Sequence, residues 1–404
     1  MTANDKAQVT VMTALAMAVL LGLVAFATDI GLFLIAKRQM QTAADSAAMA
    51  GAAEINYGDV TTAAQADSAQ NGFTDGSNGV TVAVHIPPSS GPHAGGSKAG
   101  YVEVIVSQSQ PTIFMKILNR GAMVVSARAV ATVVPSSNCI YTLGKSGTDI
   151  DQTGSGSFAV SNCSILDDSS DPTAALKRTG SGSISAQAIG IVGNYSQTGS
   201  GSISPTPTTG MTAVSDPLSL TAPSYVASSC NAAFSHSGSS SVTIPGPSTP
   251  GGTICYDGIS NVGSGTITFP AGTYVINGNF SNAGSAGLSG TGVTFYLPPG
   301  SNSFSVSGSG TINLSAPTTG MYSGILFYQA PGDIKTMSIN GSSSGTFNGI
   351  FYAPTAELDL TGSTGATFNT DLVVGSLKIT GSVNMSDYAP LAGVSPLSTP
   401  RLVE

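Results

Sequence analysis

Residues Ile150 to Ser204 read IDQTGSGSFAVSNCSILDDSSDPTAALKRTGSGSISAQAIGIVGNYSQTGSGSIS. The pentapeptide TGSGS occurs three times in this stretch, at Thr153–Ser157, Thr179–Ser183 and Thr198–Ser202. Variants continue downstream as GSGT at Gly263–Thr266, SGTG at Ser289–Gly292, SGSGT at Ser307–Thr311, TGSTG at Thr361–Gly365 and TGS at Thr380–Ser382. A quasi-regular period of about 20 residues, with β-branched residues beside each turn, marks a solenoid. Short apolar runs such as SISAQAIGIV, TITFPAGTYVI, GVTFYL, SGILFY and LVVGSLKI supply the strands. Stacked coils of this kind form a parallel β-helix over 136–390, in which no single repeat is stable alone. Glycine and serine at the corners allow positive φ and close approach. A β-sandwich is the alternative; the repeat period and the lack of alternating long hairpins weigh against it.

The segment Pro205 to Pro250 breaks the period and is rich in proline. It is expected to be a long excursion that packs on the solenoid. The composition agrees with ordered β-structure: only 8% of the 404 residues are charged and 50 are glycine, yet 41% are hydrophobic. The net charge of −8 leaves no basic face, so nucleic acid is not expected as a partner. The four cysteines fall into two local pairs, Cys139 with Cys163 and Cys230 with Cys255. None has zinc-site spacing. Two local disulfides are the most economical reading and imply an oxidising compartment. Two other connectivities, and four free thiols, stay open.

Working towards the N-terminus, Val9 to Thr28 contains no charge, and Asp29, then Lys37 and Arg38, follow it. About 20 apolar residues span the hydrocarbon core of a bilayer. The run exceeds a signal-peptide core, so a retained anchor is expected. The basic residues after the span favour a cytoplasmic body by the positive-inside rule. The cysteines and the composition favour an exported body, and that orientation is adopted. The Ala-rich stretch QMQTAADSAAMAGAAEI extends the helix, with a stop expected at Asn56 to Gly58. The anchor and its extension cover 1–56.

Residues 57–135 read as a small α+β domain. A helix near 60–71 precedes strands at Val80–Ile86, Tyr101–Ser107 and Met123–Val134. A short helix opened by Pro111 is expected between the last two. An α-β-β-α-β order suggests an antiparallel sheet. The tail, 391–404, reads as a poorly ordered end.

The N-terminal stretch KAQVTVMTALAMAVLLGLVAFATDIGLFLIAKRQMQTAADSAAMAGA resembles TadE/TadG-like proteins of the bacterial tight-adherence (Tad, or Flp) pilus machinery. The apolar span, the acid near its end, the basic pair and the QTAADSAAMAGA helix carry the resemblance. The 101–134 stretch, the flanks of Cys139 and Cys163, and DPLSLTAPSYVASSC at 216–230 fit long TadG-related proteins. The resemblance implies a pilus-assembly role at the inner membrane, with other Tad pilus or platform proteins as partners. Asp167–Asp171, DDSSD, lacks the spacing of a von Willebrand factor A metal site, so no such domain is expected. The Gly and Glu of a prepilin processing point are missing, which favours a permanent anchor.

Among single residues, Asp29 stands out, because an acid at the edge of a span is costly unless it reaches the interface or a partner. Two readings follow: pairing with another subunit, or solvation at the outer interface. Lys37 and Arg38 read as interfacial anchors. Asp149, Asp151, Asp167, Asp168 and Asp171 invite a calcium or glycosidase reading, with turn acids as the plainer one. His85, His93 and His236 are scattered and suggest no ligand set. No catalytic, metal or cofactor site is expected. The favoured function is therefore non-enzymatic: an anchored, exported pilus-assembly component that supports adhesion. Its rivals are an anchored adhesin binding glycan or another surface, with Tyr274, Tyr296, Phe327, Tyr328, Phe351 and Tyr352 as stacking platforms, and a β-helical carbohydrate-active enzyme.

Overall fold

The computed structural model describes residues 3–404 apart from 56–57, 96–99, 119–120, 136–137, 219, 250, 301–302, 342–343, 363–364, 387 and 389–397. The chain forms two compact units. The first holds residues up to Val134 together with Thr399–Glu404, and the second runs from Pro135 to Ser398.

The first unit is built on α1, Ala3–Ala53, a helix of 51 residues. From Thr10 to Thr28 its side chains are exposed apart from half-buried Ala25. From Asp29 onward a stripe is buried: Asp29, Ala36, Met40, Ala43, Ala44, Ala47, Ala48 and Ala52. These positions recur every three or four residues, the period of one helix face. Nearly all are alanine, so the helix approaches the sheet closely. At Gly51 an added Cβ would lie 3.2 Å from both Val102 Cγ1 and Val60 Cγ1. A second helix, α2, Val60–Gln70, is capped by Asp59, whose carboxylate accepts the Thr61 and Thr62 N–H groups. The expected helix stop at Asn56–Gly58 lies largely outside the described residues.

The helices cover one face of an antiparallel sheet of β1 (Val80–His85), β2 (Tyr101–Pro111) and β3 (Ala122–Pro135). Val102, Val104 and Val106 of β2 stand opposite Ala131, Ala129 and Ala127 of β3, and all six are buried. Alternation along the strands puts them on one face. Two local expectations are corrected. Pro111 ends β2 rather than opening a helix, and the helical element is one 3-10 turn, Met115–Leu118. The end of the chain is not loose throughout: Ser398–Leu402 forms a fourth strand beside β3. Backbone bonds between Val130 and Val403–Glu404 hold it. The Glu404 carboxylate pairs with Arg128, which also pairs with buried Glu103. An acid four residues after a proline gave no local sign of that partner.

The second unit is a parallel β-helix, as the repeat implied. Its strands form a 10-stranded sheet on one face and a 15-stranded sheet that wraps the other two. Every described pairing between its named strands is parallel. The rungs are not in sequence order. The chain enters at Asn138–Thr142 and builds outward through Ser164–Asp167 to Ile189–Ile191. It then crosses to the far end, starts again at Phe234–His236, and builds back. The last rung docks on the first: in Leu372–Thr380, Leu372, Val373 and Val374 lie opposite Ile140, Tyr141 and Thr142. The crossing is shorter than the 205–250 expected from sequence. Phe234–His236 and Val242–Thr243 already pair with the next rung, through Ile259–Asn261 and Ile267–Thr268.

The interior is filled by phenylalanines stacked from rung to rung. Phe295 lies 5.3 Å from Phe327 between ring centroids, and Phe327 lies 4.8 Å from Phe351. The TGSGS motif forms the corner between two faces. Gly180 has φ +117°, and an added Cβ would sit 2.2 Å from the Gly154 carbonyl oxygen of the rung below. Only glycine fits such a position. One column of residues before these corners is polar at its flanks, with a side chain that bonds a carbonyl four residues ahead. Gln152 Nε2 donates to Gly156 O, Arg178 Nη1 to Gly182 O, Asn261 Nδ2 to Gly265 O and Asn282 Nδ2 to Ala286 O. In the middle rungs the column becomes Val306, Ile339, Leu360 and Ile379.

Candidate functional site

In the first unit, the feature with the clearest chemistry lies where α1 changes from exposed to packed. Asp29 is 1% exposed. Its Oδ1 accepts the Ile113 N–H at 3.0 Å, and its Oδ2 accepts those of Phe114 at 3.0 Å and Met115 at 2.7 Å. These are the free donors at the head of the 3-10 turn, so the carboxylate caps it much as an N-cap does. The solvated reading of Asp29 is corrected: the carboxylate is buried, and the three N–H groups it accepts belong to its own chain. A backbone partner could not be read from side-chain patterns. The available hint was the cost of an acid beside a span, which demanded some partner. Lys37 and Arg38 are exposed on α1 beyond this point.

In the second unit both expected disulfides are present, Cys139–Cys163 and Cys230–Cys255. The crossing segment between residues 205 and 230 is a strap held at successive rungs. Val214 N–H donates to Asp168 Oδ1 at 3.0 Å. Tyr352 Oη donates to Asp216 Oδ2 at 2.7 Å, Tyr328 Oη to Leu220 O at 3.0 Å and Tyr322 Oη to Thr221 O at 2.7 Å. Tyr225 meets Tyr296 edge to face. Cys230 then fastens the strap to Cys255. Sequence reading missed the tyrosine ladder; the recurring Phe-Tyr pairs Phe295-Tyr296, Phe327-Tyr328 and Phe351-Tyr352 were its signal. Tyr274, Tyr296, Phe327, Tyr328, Phe351 and Tyr352 are all buried, so they are not open stacking platforms.

The acids divide into two kinds. Asp151 pairs with Lys177 at 3.3 Å, and Asp171 accepts the Thr173 and Ala174 N–H groups of a turn. Asp149, Asp167 and Asp168 are instead buried near one another. Burial raises the Asp149 carboxyl to about 8, with the charges of Asp167 and Asp168 adding to it. Burial likewise raises Asp167 to about 7. Asp168 keeps Lys145 at 2.9 Å. Among the described residues, no three His, Cys, Asp or Glu side chains converge on a point that would hold a metal ion. Of the histidines, His236 bonds the Ser240 carbonyl at 2.8 Å, and His93 stacks on Tyr101. A cleft of about 760 Å³ lies between the strap at Thr221–Ser224 and the rung corners at Gly272 and Pro317–Tyr322; its lining carries no charged side chain.

A helix exposed over an uncharged span and packed beyond it, followed by a strapped and disulfide-bonded β-helix, defines a membrane-anchored solenoid protein. Residues 7–54 match the family model described as "Tad: Putative Flp pilus-assembly TadE/G-like". This is the segment on which the resemblance rested. Comparisons with curated proteins and with solved structures give no match. The family match and the apolar helix together support a membrane-anchored pilus-assembly component.

Proposed function

We propose that this protein is an exported component of Tad (Flp) pilus assembly, held in the inner membrane by a single span over Val9 to Thr28. Its disulfide-bonded body stands on the periplasmic or extracellular side, works with other pilus or platform proteins, and supports surface adhesion without enzymatic chemistry. The observation that carries this reading is a coincidence of position. The segment that matches the pilus-assembly family, 7–54, is the helix whose surface changes from exposed apolar to packed at Asp29. The two disulfides support an oxidising compartment for the body.

Cell fractionation with and without shearing of surface fibres tests the reading. The protein is expected in the inner-membrane fraction under both conditions, and its deletion is expected to reduce piliation. Recovery only with sheared fibres would remove the permanent-anchor role. The cleft along the strap favours a second reading, an adhesin for uncharged glycans; a glycan array with the detergent-solubilised full chain tests it.

A further inference from the structure

The tip of the β2–β3 hairpin carries exposed apolar side chains. Ile113 is 57% exposed, Phe114 41%, Met123 42% and Val124 74%. Soluble surfaces seldom gather such residues without a partner. The height of this tip along α1 is fixed by the three bonds from Asp29 to Ile113, Phe114 and Met115. Asp29 directly follows the uncharged run from Val9 to Thr28, which at 1.5 Å per residue is about 30 Å long, the thickness of a hydrocarbon core. A helix that spans a bilayer through this run therefore brings Asp29, and with it the hairpin tip, to the outer edge of the core. Lys116 on the same tip, and Lys37 and Arg38 two turns further along α1, are exposed and suit phosphate headgroups. A shallow cleft of about 300 Å³ opens beside the tip, lined by Leu32, Ile35, Phe73, Pro111 and Ile113 among others.

The geometry points to the hairpin tip as a second membrane contact. Ile113, Phe114, Met123 and Val124 seat at the boundary between headgroups and acyl chains of the bilayer that α1 crosses. The occupant of this apolar patch is lipid. The inference rests on the reading of α1 as an anchor and goes beyond it. A single helix leaves the body free to swivel, whereas a helix and a hairpin tip joined by the Asp29 bonds fix how the first unit faces the membrane.

The chain contains no tryptophan, so single-tryptophan variants report depth directly. Full-length Phe114→Trp, Val124→Trp, Leu21→Trp and Ile86→Trp are placed in phosphatidylethanolamine–phosphatidylglycerol vesicles with and without brominated acyl chains. Ile86 is 42% exposed and lies past the far end of β1, about 30 Å along the sheet from the tip. Brominated lipid is expected to lower emission at least twofold for the variants at positions 21, 114 and 124, and to leave the variant at position 86 unchanged. Quenching at position 21, with positions 114 and 124 behaving like 86 and equally open to aqueous iodide, would overturn the hairpin contact alone. Absence of quenching at position 21 as well would overturn the anchor reading and the hairpin contact together.

Discussion

The Asp29 carboxylate receives the Met115 N–H at 2.7 Å, across 86 residues of chain. With the Ile113 and Phe114 bonds it makes one side chain the fastening between α1 and the hairpin tip. Asp29→Leu removes the acceptor and leaves three N–H donors without it. The variant is expected to insert normally but to melt at lower temperature in detergent and to be cleaved faster between residues 111 and 124. Asp29→Asn, which keeps one acceptor oxygen, should fall between the two. An unchanged melting temperature and unchanged proteolysis in both would show that the fastening carries no stability.

The strap depends on the tyrosine ladder. Tyr352→Phe deletes the bond to Asp216, at a cost of about 1–2 kcal/mol. Limited proteolysis between residues 205 and 230 is expected to accelerate several-fold, while the circular-dichroism signal of the strands is kept.

The corner glycines separate into two kinds that mutation distinguishes. Gly180→Ala meets the Gly154 carbonyl oxygen at 2.2 Å and has φ +117°, so a loss of about 3 kcal/mol or more is expected. Gly147→Ala has φ +80° but open space around it, and about 1 kcal/mol is expected. Denaturant titration of both variants measures the difference.

Reduction of Cys230–Cys255 frees the end of the strap from the rung it grips. A bond closing a loop of about 25 residues contributes about 3 kcal/mol in the chain-entropy account. Cys230→Ser with Cys255→Ser is expected to lower the denaturation midpoint accordingly and to widen the cleft under Thr221–Ser224. Comparable resistance to denaturant in the double variant would contradict this.

Stability should fall as the pH rises. Asp149 and Asp167 hold their protons in the folded unit up to about 8 and about 7, well above the ordinary carboxyl value of 3.8. The folded state therefore binds more protons than the unfolded state between about pH 4 and pH 8, and stability declines across that window. It is fully present below pH 4 and lost once the pH passes the folded values. Asp149→Asn stays neutral and is expected to flatten the decline, with little change at pH 5 and a gain at pH 8. Denaturant midpoints taken from pH 5 to 9 measure it.

Much of the fold was legible because its causes are local. TGSGS corners need glycine wherever one rung passes close over another, so a structural contact left a sequence repeat. The uncharged span and the alanine stripe were legible for the same reason: helix periodicity ties burial to spacing. What escaped had its cause far away in the chain. Nothing near Leu372 to Val374 says that this strand lies on Ile140 to Thr142, because any apolar rung fits any other in a parallel stack. Glu404 beside Arg128, and Asp29 beside the turn at Ile113 to Met115, are likewise single long-range partners without a period. The buried trio of Asp149, Asp167 and Asp168 looked like turn residues because Gly, Ser and Pro surround them.

The out-of-order stacking of rungs sets the order in which the body can become complete as the chain is made. Residues 138–204 can stack on one another as they emerge, but the other side of Asn138–Thr142 stays an open row of backbone donors and acceptors. That row is closed only by Leu372–Thr380, more than two hundred residues later. Until then the growing protein carries a sticky edge able to recruit a strand from a neighbouring chain. A chaperone that covers exposed strand edges then has a definite substrate: the half-built stack waiting for its final rung.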